Sequence, residues 1–210
     1  MDITSYVTHK DWLFFLAGLP ALCLLIFYYL GRRGHYKLKD YTYSVGLLLA
    51  FIADIIFEIK TITFTIISLC FFILSYSFFI ATIRREAVFT SSLKELGKIM
   101  LNMLFIISPI LLAFSKIPPD YFFVSIIYMV FLALFYTTAL LRKTNKSSYI
   151  WVLAGVLSFC LLTVTEVYFK FIIKVPYDQI INKVIYGFAH YATFMGITKS
   201  YKHFYVPTEK

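Results

Sequence analysis

Read for its apolar and polar positions, the chain alternates between two textures. Runs of about nineteen or more residues that are apolar on every side are separated by short segments rich in lysine, arginine, proline and acid. Seven such runs can be marked, over about 12–31, 41–59, 61–83, 93–115, 119–141, 147–169 and 179–199. Each has the length of a bilayer crossing, which takes about 20 residues as a helix. In lipid the backbone finds no water, so a crossing is either a helix or part of a closed barrel. Barrel strands alternate apolar and polar residues over about ten positions, and these runs do not. The pattern therefore predicts an all-α polytopic membrane helix bundle, one transmembrane domain over 1–210 with about seven transmembrane helices.

Punctuation supports the boundaries. Ser92 with Glu95 has the spacing of a capping box before the fourth run. Pro118-Pro119-Asp120 and Pro176-Tyr177-Asp178 precede the fifth and seventh, where helix starts tolerate proline and favour acid. The first run is not read as a signal peptide, because its basic cluster follows it and no small-residue cleavage site is evident.

Composition explains why lipid is the solvent. Of 210 residues, 60% are hydrophobic and only 15% charged, against about 25% charged in soluble domains. The net charge of +9 does not indicate nucleic acid, because the cations sit in clusters between the runs. The segments after runs 1, 3 and 5 and the C-terminal tail hold Arg32, Arg33, Lys37, Lys39, Arg84, Arg85, Lys94, Lys98, Arg142, Lys143, Lys146, Lys199, Lys202 and Lys210. The opposite side holds only Lys10, Lys60, Lys116, Lys170, Lys174 and Lys183. By the positive-inside rule the N-terminus is outside and the C-terminus cytoplasmic. The expected location is an integral, multi-pass membrane protein, in the inner membrane if the cell is bacterial. Cys23, Cys70 and Cys160 lie in three different runs with no paired spacing, and read as small buried hydrophobes rather than a disulfide framework.

Candidate chemistry lies where polar residues interrupt the runs. Of eleven acids, Asp54 and Glu166 stand well inside a run, about 20 Å along run 2 and about 25 Å along run 6 at 1.5 Å per residue. Intramembrane carboxyls are costly and mark function or a specific polar partner. Glu58 follows Asp54 by one turn. On run 7, Asn182, Tyr186 and His190 are spaced i, i+4, i+8 and share a face. No lysine or arginine lies mid-run. Each carboxyl must therefore be satisfied by water, by the other, by His190 or by its own proton. Gly46, Ala50, Ala53, Gly155 and Ser158 let helices approach near the acids. The expectation is one polar cavity toward the outer face, shared by runs 2, 6 and 7. Asp54, Glu166 and His190 are its candidate catalytic residues, and Tyr186, Asn182, Ser75 and Glu58 its candidate ligand contacts. The alternative is that these residues are hydrogen-bonding glue between helices.

A family resemblance is carried by several of the same positions. Gly46-Leu47-Leu48-Leu49-Ala50-Phe51-Ile52-Ala53-Asp54 resembles the G-L-L-F-S-L-L-G-D motif of the YhhN family, to which the lysoplasmalogenases belong. Phe64, Phe71 and Phe78 stand near the family's spacing of F, F and Y, with Ser75 at its histidine position. Thr165-Glu166 stands where the family often has Ser-Asp, and Tyr186-x-x-Ala189-His190 is similar to its Y-x-x-A-Q. The resemblance implies hydrolysis of the vinyl ether bond of a lysoplasmalogen. That chemistry needs a proton delivered to carbon, giving an oxocarbenium ion, and then water. A desolvated carboxyl can give the proton, and a second can stabilise the cation and activate water, as in glycoside hydrolysis.

Other classes fit less well. A non-enzymatic seven-helix protein binding a lipid or other hydrophobic ligand remains open, and so does a transporter, although no paired broken helices stand out. A zinc hydrolase needs about three protein ligands, and His190 is the one histidine inside a run. A retinal protein needs a buried lysine in the last run, where Lys183 and Lys199 stand only at the ends. The expected partner is a membrane lipid or lysolipid, with no metal, cofactor or nucleic acid; the oligomeric state is not legible. The orientation has a direct test. Tags placed after Leu30, Ile83 and Leu141 should be shielded from impermeant reagents added outside intact cells, and their labelling from outside would overturn the topology.

Overall fold

The computed structural model describes residues 18–32, 36–59, 61–88 and 93–200, which form seven helices and no strand. They are α1 (Leu19–Arg32), α2 (Leu38–Phe57), α3 (Ile62–Arg84), α4 (Leu93–Ala113), α5 (Pro119–Leu140), α6 (Lys146–Phe171) and α7 (Asp178–Lys199), with a 3-10 turn at Phe114–Lys116. Residues 12–17 of the expected first run, and Ser92 of the expected capping box, lie outside the described residues. Helices α2, α3, α5 and α6 are each long and apolar enough to cross a membrane. The shortfall of the other three has identifiable causes. Only fourteen residues of α1 are described as helix, α4 carries its charges in its first turns and Pro109 inside it, and α7 bears the polar stripe.

Local chemistry sets the helix ends. The Asn145 side chain accepts the Ser148 amide at 2.7 Å and starts α6. Thr61 caps α3 in the same way. Pro119 occupies the first position of α5, where its missing N–H is no loss. Tyr177, in the left-handed region at φ 63°, turns the chain into α7.

Two antiparallel pairs, α6 with α7 and α2 with α3, share the largest interfaces, and α5 packs on α3 and α6. Small residues make both pairs close. A Cβ on Gly155 would lie 2.7 Å from the Thr193 nitrogen and 2.8 Å from the Ala189 carbonyl. One on Gly196 would lie 2.6 Å from the Val152 nitrogen. Ser148 Oγ donates to the Gly196 carbonyl at 2.5 Å. Across α2 and α3, Ser68 Oγ donates to the Ala53 carbonyl and Ser75 Oγ to the Gly46 carbonyl, both at 2.8 Å. Ser75, expected as a ligand contact, is placed with its hydroxyl buried against α2 and away from the cavity wall.

Apolar side chains face outward as well as inward; Leu112 is 78% and Phe123 76% exposed. That surface suits lipid. Cys23 and Cys70 are exposed there, and only Cys160 is buried as expected; all three are free thiols.

One end of the bundle gathers the basic connections and is tied by ion pairs. Asp40 accepts from Tyr28 Oη at 2.5 Å, Arg32 Nη2 at 3.0 Å and the Lys37 amide at 2.6 Å. Glu86, just past α3, accepts from Lys39 Nζ and from Arg142, whose Nε stands at 3.0 Å. Arg142, fully buried, also reaches Ser148 on α6. Lys39 reaches Ser200 beyond α7. Burial by itself would raise the Glu86 pKa, but Lys39 and Arg142 hold the carboxyl below its ordinary value. A folded-state pKa below the unfolded one means stability that is fully present above the unfolded value, about 4.3, and lost as pH falls through the folded value. Glu86→Gln should therefore destabilise the protein at neutral pH by about 3 kcal/mol, the effect of removing one partner of a buried pair. The difference from wild type should shrink in acid. Melting of both proteins across pH checks this, and equal stability at neutral pH would contradict it.

Candidate functional site

The opposite end of the bundle opens into a cavity of about 440 Å³. Its position follows from the two close pairs. α2 ends at Phe57 with Asp54 in its last turn and Glu58 as its C-cap, and α3 begins beside it. α6 and α7, in fixed antiparallel register from Ser148–Gly196 through Gly155–Thr193, bring Glu166 opposite Asn182. α5 closes the remaining side with Tyr121, Ser125 and Tyr128.

Five expected residues meet there. Asp54, Glu58, Glu166, Asn182 and Tyr186 all line the cavity. Tyr186 Oη donates to Asp54 Oδ2, and Asn182 Nδ2 donates to Glu166 Oε1 at 2.8 Å. The two donors are one turn apart on α7, a spacing of about 5–6 Å between Cβ atoms, so a single helix face holds both carboxyls. Their partners are thus neutral groups, not His190 and not each other. Burying a carboxyl without such donors costs several kcal/mol, which accounts for a stripe of polar residues on an otherwise apolar helix.

His190 is placed differently from its expected role. It lies one turn beyond Tyr186, 1% exposed, behind the cavity rather than on its wall. Its ring meets the rings of Tyr186, Phe159 and Phe79 at 4.4, 4.9 and 6.0 Å between centroids. Among the described residues its Nε2 has no hydrogen-bond partner. It packs against the ring whose hydroxyl holds Asp54.

Several lining residues escaped the sequence reading. Lys183 pairs with Glu58 at 3.0 Å. Lys170 sets its ammonium 5.1 Å from the Tyr121 ring and 5.7 Å from that of Phe57. These two lysines give the cavity the cations that the middle of the runs lacks. Deeper in, Tyr76 and Tyr128 meet hydroxyl to hydroxyl at 2.9 Å, and Tyr128 meets Thr163 at 3.3 Å. The i, i+4, i+7, i+11 spacing of Thr65, Leu69, Phe72 and Tyr76 on α3 was a readable signal for that wall; nothing in the sequence tied it to Tyr128. Among the described residues no group of three metal-ligating side chains comes together.

Compared with protein-family models, curated proteins and solved structures, the chain finds no match. The fold and site therefore define the class no more narrowly than a helical membrane protein with a carboxyl-bearing cavity.

Proposed function

We propose that this is a multi-pass membrane hydrolase acting on a single-chain lipid, with Asp54 and Glu166 as its acid and base. On this reading the chain crosses the bilayer about seven times with its C-terminus cytoplasmic, and the cavity opens toward the outer leaflet. The observation that carries it is the pair of carboxyls on one cavity, each held by a donor on successive turns of α7. Apolar walls from Leu69, Phe72, Met129 and Leu162 suit an alkyl chain. The lysines and acids around Glu58 and Lys183 suit a polar head.

The reaction that fits is cleavage of a lysoplasmalogen vinyl ether. The alkene's π electrons take the proton of one carboxyl and form a C–H bond, leaving an oxocarbenium ion. The other carboxylate stabilises that cation and takes a proton from the water that adds to it. As the hemiacetal breaks its C–O bond to the glycerol oxygen, the second carboxyl returns its proton to that oxygen and the first takes the proton of the hemiacetal hydroxyl, which releases a fatty aldehyde and a glycerophospho-alcohol and restores both carboxyls. Tyr186 and Asn182 orient the two carboxyls, and His190 positions Tyr186 by ring contact alone.

Purified protein in nanodiscs, supplied with a lysoplasmalogen, should release aldehyde. Asp54→Asn should lower the rate by at least about a hundredfold, the lower range for general acid–base catalysis, while leaving the fold intact. Glu166→Gln should be nearly as severe. A fully active Asp54→Asn protein would remove the mechanism. The second reading is a non-enzymatic lipid binder. It is favoured by the absence of Ser75 and His190 from the wall. Binding without turnover would select it.

A further inference from the structure

The deepest polar groups of the cavity are hydroxyls, and each carries one hydrogen. Thr163 donates its hydrogen to the Phe159 carbonyl at 2.9 Å, the backward bond of a helical threonine. Its oxygen can then only accept from Tyr128, 3.3 Å away. With the Tyr128 hydrogen turned to Thr163, the 2.9 Å contact between the two tyrosines must be donated by Tyr76. The hydrogen of Tyr186 goes to Asp54. Every phenol hydrogen in this part of the cavity is therefore engaged within the protein, while the Tyr76 and Tyr128 oxygens keep lone pairs. Apart from any proton on a carboxyl, the hydroxyls at the deep end offer acceptors only; the second amide hydrogen of Asn182 stands one turn nearer the mouth, beside Glu166. The hydroxyls of Thr65 and Ser125, nearer the helix starts, can turn either way and impose no preference.

From this direction of donation we infer a specificity device: Tyr76 and Tyr128 form an acceptor shelf that selects apolar ligands bearing a hydroxyl over ligands of equal length whose oxygen is an ether, ester or aldehyde. Thr163 sets the direction without lining a reacting centre. A ligand hydroxyl finds an acceptor there. An ether oxygen faces another oxygen and leaves both unpaired, which is the larger cost. The inference rests on the cavity being a lipid-ligand site, as proposed above, and not on hydrolysis.

The test uses the full chain in nanodiscs with 1-dodecanol and dodecyl methyl ether at equal mole fraction, the bound ratio being read by native mass spectrometry. Wild type should favour the alcohol about fivefold, the factor that one net hydrogen bond contributes. Thr163→Val removes the terminal acceptor, so the Tyr128 hydrogen turns to Tyr76 and the Tyr76 hydrogen to the cavity. The ratio should fall to about one or reverse. Tyr128→Phe frees the Tyr76 hydrogen directly and should do the same, which keeps the test intact if the valine variant folds poorly. Equal uptake by wild type, no uptake of either ligand, or a ratio unchanged in both variants would overturn the shelf. Absence of lysoplasmalogen hydrolysis would leave this ratio untouched, so the two readings fail separately.

Discussion

The near-contact of α6 and α7 is the constraint on which the rest of the bundle depends. At Gly155 and Gly196 there is no room for a Cβ between one helix and the backbone of the other. Without side chains between them, the two helices cannot slide by a residue without driving Thr193 or Val152 into a neighbouring backbone. That fixed register carries from Ser148 at one end to Glu166 and Asn182 at the other. Small residues at helix crossings do this work in lipid, where apolar surface gains nothing by pairing with apolar surface. The α2–α3 pair repeats the device, with Gly46 beneath Phe79 and two serines bonded to α2 carbonyls.

The two ends of the bundle treat their most buried carboxyls in opposite ways. At the basic end, acids and cations meet directly: Asp40 with Arg32, Glu86 with Lys39 and Arg142. Those pairs join α1 to α2 and tie α2, α5 and α6 together. At the cavity end Asp54 and Glu166 are bonded to a phenol and an amide instead. A carboxyl held by a neutral donor keeps its chemistry available, whereas one clamped between two cations does not. This contrast within one chain is the physical ground for placing function at one end and structure at the other.

Much of this arrangement was legible in the sequence, for definite reasons. Asp54 and Glu166 stood out because carboxyls are rare inside apolar runs, and the i, i+4 spacing of Asn182 and Tyr186 put both on the face that meets them. What spacing cannot give is the rotation of that face beyond the contact. His190 continues the same stripe, yet one turn deeper the helix meets Phe159 and Phe79, and the histidine is enclosed by rings. Ser75 was chosen for its position in a motif, but a lone serine inside an apolar helix bonds most readily to a nearby carbonyl. Asp40 and Glu86 looked ordinary because they sit at run ends, where acids are common; their burial depends on partners far along the chain. The Tyr76–Tyr128–Thr163 chain joins three helices, and no local pattern announces such a contact.

The central claim is that Asp54 and Glu166 face one shared cavity because α7 holds both. It is tested most directly by cross-linking. In a background where Cys23, Cys70 and Cys160 are replaced, the double substitution Asp54→Cys and Glu166→Cys should be joined efficiently by a short bifunctional thiol reagent in nanodiscs. Adding Gly155→Leu, which forces α6 and α7 apart, should sharply reduce the yield. Two thiols that each react with a monofunctional reagent but are never joined would show that the carboxyls face different spaces, and would contradict the account.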